Sequence, residues 1–315
     1  MFRRFAMTVF GFAWLLLSLL ATLVEAQGLP DPPSSPETSR LEVVATLPFL
    51  ADFVFRIGGD RVHVSTLLSG MESEHTYTPK PGDIRTVHGA AVLVQVGLGL
   101  EVWVDGLIRN AANKNLKMIT VSKGIPLLRD EEVPSGNEES EHPMGNPHIW
   151  LDPERAKEMV RNITEGLIQA DPKRRKLYLS NQGVYLSEID ALSKDIQRST
   201  RNLRSRSFIA HHPAWPYFAK RFGLNVAGVI QHQVGSEPSA NHLAALIRTM
   251  KKEKIRVIVS EPQLSPKIPN ALARETGARI VVLTPIPGGL PGTETYLKMM
   301  KYNAEQLIQG LQQGT

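Results

Sequence analysis

Residues 173–200 contain no proline and one glycine. Proline breaks a helix interior and glycine weakens it, so this stretch is free to form one unbroken helix. Leu177, Leu179, Val184, Leu186, Ile189, Leu192 and Ile196 recur within it at mostly helical spacing. At 1.5 Å per residue the helix would run to about 40 Å, the width of a small domain. A rod of that length is expected to act as a strut between two lobes.

The chain on either side has the rhythm such a strut requires. Before it, β-branched apolar runs predict strands over 41–47, 62–68, 91–96 and 116–121. Helical spacing predicts helices over 49–58, stopped by Gly58-Gly59, and over 83–88, 101–110 and 154–169. After it, strands are expected at 207–210, 224–230, 255–259 and 279–283, with helices at 214–222, 238–252, 266–276 and 293–311. Alternation of strand and helix argues for parallel sheets with helices on both faces. The fold class is therefore α/β, with two lobes each built on a parallel sheet flanked by helices and joined by one long rigid helix. The expected division is a signal peptide at 1–26, a Pro/Ser-rich leader at 27–40, a first lobe at 41–171, the connecting helix at 172–200 and a second lobe at 201–315.

A chain of 315 residues is long enough for two cores. It contains no cysteine, which excludes a disulfide framework, a cysteine zinc site, a thiol nucleophile and a lipid-modified N-terminal cysteine. Arg3 and Arg4 precede an apolar run at 10–24, and Val24-Glu25-Ala26 resembles a small-x-small cleavage site. This reads as a secretory signal with a mature start near Gln27; the alternative is an uncleaved anchor, for which the run is short. Export without a lipid anchor places the mature protein in a periplasm, not inserted in the membrane. Loss of residues 1–26 removes Arg3, Arg4 and Glu25, taking the formal net charge from +5 to +4. The basic runs Lys173-Arg174-Arg175-Lys176 and Lys251-Lys252 lack interleaved aromatics, so they read as solvated helix faces and not as a nucleic-acid footprint.

The chemistry is carried by histidines. In Asn146-Pro147-His148-Ile149-Trp150-Leu151-Asp152-Pro153, Pro147 disfavours helical geometry at Asn146. Asp152 is a good N-cap and Pro153 suits a first helical turn, so His148 is expected on a stiff corner before a helix. Taken alone, such a histidine is more simply a buried ring bonded to backbone. His75 and His212, however, fall in similar places, in the loop after 62–68 and just after 207–210. Open α/β sheets bind ligands beyond the carboxyl ends of their strands. Together the three would meet between the lobes, and three imidazoles suit zinc. Water, Glu74 or Glu261 would supply a fourth ligand, although Glu74 also reads as solvated and Glu261 as a carboxylate approaching a helix. Binding requires neutral rings and should weaken below about pH 6.5. His63, His88, His232, His242 and His211 have plain structural readings, and His142 sits in an acidic loop, 130–147, with scope for weak metal contacts only.

These segments resemble the ligand loops of the zinc/manganese solute-binding proteins of ABC transporters. The run Ser73-Glu74-His75-Thr76-Tyr77-Thr78-Pro79-Lys80-Pro81-Gly82-Asp83-Ile84 is similar to that family's first ligand loop, and the His148 segment to its second. His212-Pro213-Ala214-Trp215-Pro216-Tyr217-Phe218 resembles the third, with Pro213 where many members have aspartate; Ser260-Glu261-Pro262-Gln263 and Thr295-Tyr296-Leu297 also fit. The resemblance implies two β/α lobes on one long helix, a metal held between them and delivery of the ion to a membrane permease. It departs at Thr284, where many members, notably manganese binders, carry an aspartate. That departure, and Glu74 before His75, favour the zinc branch.

The expected protein is thus a monomeric periplasmic Zn2+ carrier for an ABC importer, with no catalytic activity. The same carrier loaded with manganese or iron is the nearer alternative. A three-histidine zinc hydrolase is the alternative of another class, with Glu74 or Glu261 as base. An adhesin or interaction module finds no repeat or exposed aromatic patch to support it.

Overall fold

The computed structural model describes residues 40–128 and 144–313. The signal sequence and leader, most of the acidic loop and His142 lie outside the described residues.

Two four-stranded, wholly parallel sheets form the frame. The first contains β1 (Leu41–Ala45), β2 (Val62–Thr66), β3 (Val92–Gln95) and β4 (Lys117–Thr120), in the order β2-β1-β3-β4. The second contains β5 (Ser207–Ala210), β6 (Asn225–Val229), β7 (Val257–Ser260) and β8 (Arg279–Val282), in the order β6-β5-β7-β8. The two halves therefore repeat one topology. In each, the chain steps to one side after the first strand and then crosses to the other. That leaves a switch point between β1 and β3, and another between β5 and β7, where a crevice opens beyond the strand ends.

Nine α-helices cover the described sheets: α1 (Pro48–Gly58), α2 (Pro81–Gly89), α3 (Val104–Ala111), α4 (Pro153–Ala170), α5 (Arg175–Thr200), α6 (Pro216–Arg221), α7 (Ala240–Glu253), α8 (Lys267–Thr276) and α9 (Tyr296–Gln313). Several carry the signals that start and stop helices. Proline sits in the first turn of α1, α2, α4 and α6, where its missing N–H costs nothing. Ser239 caps α7 by accepting from His242 N, and Gly59, at φ +53°, ends α1.

Helix α5 is the long element that the sequence predicts, preceded by a single 3-10 turn at Pro172–Arg174. Its buried face differs from the expected leucine-rich stripe. Tyr178, Tyr185, Ile189, Ile196 and Thr200 face inward, whereas Leu177, Leu179 and Val184 are exposed. The tyrosines can turn inward because their hydroxyls find carboxylates: Tyr178 donates to Asp171 and Tyr185 to Asp52. The helix packs on α4, α1 and α9, so it touches elements from both halves.

One apolar core runs through both halves. It joins Phe49, Phe53, Trp150 and Ile163 of the first to Trp215, Phe218, Tyr296 and Leu307 of the second. A smaller cluster, including Ile209, Leu246, Met250 and Ile258, lies beneath α7 and α8. Among the described residues no helix is long and apolar enough to cross a membrane.

Candidate metal centre

Four side chains meet where the two halves face each other. His75 and Glu74 come from the loop between β2 and α2. His148 stands on the corner before a 3-10 turn, Ile149–Leu151, that leads into α4. His212 follows β5, at the switch point of the second sheet.

The corner at His148 is stiff for the reasons legible in its sequence. Asp152 accepts from Glu154 N at 3.0 Å, and its carboxylate also pairs with Arg155 and with Arg221 of α6. Trp150 is fully buried; its ring stacks on Phe49 and its Nε1–H donates to Pro285 O at 2.7 Å.

The Nε2 atoms converge. His148 Nε2 lies 3.3 Å from His75 Nε2 and 3.2 Å from His212 Nε2. Glu74 Oε1 lies 3.8 Å and 3.7 Å from the Nε2 atoms of His75 and His148. One donor atom from each of the four falls within 4.8 Å of the others. A zinc–nitrogen bond of about 2.0–2.1 Å in a tetrahedral shell sets neighbouring donors about 3.3 Å apart. The two nitrogen separations from His148 match that spacing, and Glu74 Oε1 stands somewhat further out, at 3.7 Å and 3.8 Å. All four residues are buried, none more than 8% exposed.

For His148 and His212 the outer nitrogens explain why the inner ones are acceptors. His148 Nδ1–H donates to Asn146 Oδ1 at 2.9 Å, and an amide oxygen can only accept. The proton of His148 is therefore on Nδ1, and its Nε2 lone pair points into the site. Glu261 Oε2 lies 2.7 Å from His212 Nδ1, so that ring also keeps its proton on Nδ1. Two lone pairs thus face each other across 3.2 Å, beside Glu74 Oε1, a buried oxygen with no hydrogen-bond partner. Lone pairs gathered in this way away from water are costly unless a cation shares them. The arrangement can capture a divalent ion.

Of the five residues expected to contribute, the structure brings His75, His148, His212 and Glu74 together. Glu261 stands behind them, on the far nitrogen of His212, with its other oxygen accepting Trp215 Nε1–H at 3.0 Å. Thr284 is also outside the group. It is fully buried, and its hydroxyl donates to Ile286 O and accepts from Gln263 Nε2. The remaining described histidines are elsewhere: His63 pairs with Glu42 on the surface, His88 bonds Ala111 O, His242 bonds Val229 O and the His232 ring lies 4.9 Å from that of His242. Burial pushes His211 down to about 4, which leaves its ring neutral.

Two supports were not anticipated. Asn146 reads from sequence only as a residue held extended by Pro147, yet it orients His148. Trp103 Nε1–H donates to Glu74 O and anchors the Glu74–His75 loop from α3's leading end. A partner two positions from a histidine is a findable signal; a tryptophan from a distant loop is not.

A family model described as zinc-uptake complex component A, periplasmic (ZnuA), matches residues 43–310. The high-affinity zinc uptake system protein ZnuA of Bacillus subtilis is 29% identical, over 86% of this chain and 88% of its own. The zinc-binding lipoprotein AdcA of Streptococcus pneumoniae serotype 4 is 28% identical over 86% of this chain, which spans only 56% of that longer relative. A crystal structure of ZnuA superposes with a TM-score of 0.76 at 32% identity, covering 86% of this chain and 99% of the other.

Proposed function

This chain belongs to the periplasmic component A family of zinc-uptake complexes, and from that membership we propose that it captures one Zn2+ between its lobes and delivers it to an ABC import permease. His75, His148 and His212 bind through Nε2, and Glu74 Oε1 completes the shell. The observation that carries this reading is the convergence of three imidazole nitrogens and one carboxylate oxygen within 4.8 Å of one another in a buried site, with His148 Nε2 at 3.3 Å and 3.2 Å from the other two nitrogens. Three nitrogen donors to one oxygen suit zinc better than manganese, which favours oxygen.

Glu261 and Asn146 act behind the ligands, where carboxylate and amide partners set ring tautomer and orientation. The family is one of solute carriers, and the site is suited to holding an ion rather than to catalysis. Four protein donors fill a zinc shell, whereas hydrolysis needs one position for water or substrate. The family's role places the protein outside the cytoplasm, in keeping with the secretory signal read at residues 1–26.

Calorimetric titration of the metal-free protein tests the proposal. Wild type should take up one Zn2+, and His75→Ala, His148→Ala and His212→Ala should each bind at least 100-fold more weakly. Unchanged affinity in two of the three would end it. Metal analysis of protein from its native compartment should return zinc, and manganese there would reassign the cargo.

A further inference from the structure

The loop that carries Glu74 and His75 meets the second half of the molecule backbone to backbone. Gly70, near its start, is buried with φ +100°, and a Cβ there would lie 2.1 Å from Pro287 O. On the opposing loop, a Cβ on Gly288 would come within 2.7 Å of Ser69 O. One on Gly289 would meet Thr284 Oγ1 at 2.3 Å, Gln263 Nε2 at 2.7 Å and Gly70 O at 3.0 Å. A side chain at Gly70, Gly288 or Gly289 is therefore excluded from this seam.

Gln263 ties it. Its Nε2 donates across the seam to Gly70 O at 2.7 Å and to Thr284 Oγ1 at 3.0 Å. Its own Oε1 is buried with no hydrogen-bond partner, a cost accepted to place the amide nitrogen there. Gln263 also follows Glu261, the partner of His212, so a single turn after β7 touches the His212 side of the centre and the loop bearing Glu74 and His75.

We infer that this seam is a latch on the Glu74–His75 loop, with Gly70, Gln263 and Gly289 as positioning residues that set how fast a bound cation leaves. The inference rests on the metal-binding role proposed above. The lobes share a continuous core, so the smallest movement that uncovers the ion is withdrawal of this loop. Withdrawal must break the Gln263–Gly70 bond and part the glycine backbones. Gly289 has no positive φ, so Gly289→Ala tests the close approach without backbone strain.

The experiment has two arms on full-length protein. In the first, Zn2+ loss to excess chelator is followed by stopped flow for wild type, Gln263→Ala and Gly289→Ala. Both variants should release the ion at least tenfold faster at one-to-one stoichiometry. With Co2+ as probe, the strong visible bands of a four-coordinate ion should weaken in Gly289→Ala. In the second arm, hydrogen exchange is measured on the metal-free protein. Amides of residues 69–75 should exchange at least tenfold faster in Gln263→Ala, while its thermal midpoint stays at the wild-type value. Wild-type release and wild-type exchange in Gln263→Ala would overturn the latch. Failure of wild type to bind Zn2+ or Co2+ would instead overturn the metal-binding role, while the exchange arm would still report on the seam.

Discussion

Asn146 performs three tasks with one amide. Its Oδ1 accepts from both the backbone N–H and the Nδ1–H of His148, and its Nδ2 donates to Pro213 O beside His212. It thereby sets the tautomer of one proposed ligand and its distance from another. Replacement by alanine leaves His148 Nδ1 without its acceptor and frees the ring to turn. Asn146→Ala is expected to weaken zinc binding 10- to 100-fold, as loss of such outer partners generally does. Asn146→Asp keeps the acceptor, gives up the bond to Pro213 and should lose less. Competition against a zinc chelator of known affinity measures both. The sequence placed this residue before a proline; its role depends on where Pro213 lies, and local spacing cannot report that.

At the scale of the element, α5 shows what a pattern reveals and what it hides. The absence of proline over the run made a long helix legible. Which face is buried was not, because leucine and valine at helical spacing are as compatible with an exposed ridge as with a core. The decision fell to Tyr178 and Tyr185, whose hydroxyls have carboxylate partners contributed by other elements. Gly183, the helix's single glycine, is exposed, and a Cβ added there meets no atom within 4 Å. Glycine in a helix interior costs roughly 0.5–1 kcal/mol relative to alanine. Gly183→Ala should therefore stabilise the protein by about that amount, read as a higher urea midpoint with unchanged slope, and should leave zinc affinity alone.

Across the whole molecule, polar ties fasten one half to the other. Trp150 donates to Pro285 O, and Tyr296 OH donates to Trp150 O at 2.8 Å. Asp52 of α1 accepts the backbone N–H of Tyr296, at the start of α9, and also the hydroxyl of Tyr185 in α5. One carboxylate thus joins three helices. Asp52→Ala orphans both donors and should cost about 1–3 kcal/mol. Burial raises the Asp52 carboxyl above its ordinary 3.8, only partly opposed by the Tyr296 and Tyr185 hydrogen bonds and by Arg56. The folded state then holds its proton at a pH where the unfolded chain has lost it. Stability from this source is greatest below 3.8 and falls as pH rises through the raised value. Asp52→Asn cannot titrate, so denaturation across a pH series should show that slope removed.

The sequence by itself determined the alternation of strands and helices, the repeated halves, the rod between them and the local stiffness around His148. Each follows from periodicity, caps and proline, which act over a few residues. Tertiary structure alone decided that Glu74 faces the three Nε2 atoms while Glu261 stands behind His212, and that Thr284 turns its hydroxyl to Gln263 and Ile286. Those outcomes depend on loops brought together across both sheets, where angstroms separate a proposed ligand from its support. A carboxylate's place in the chain carries no information at that resolution.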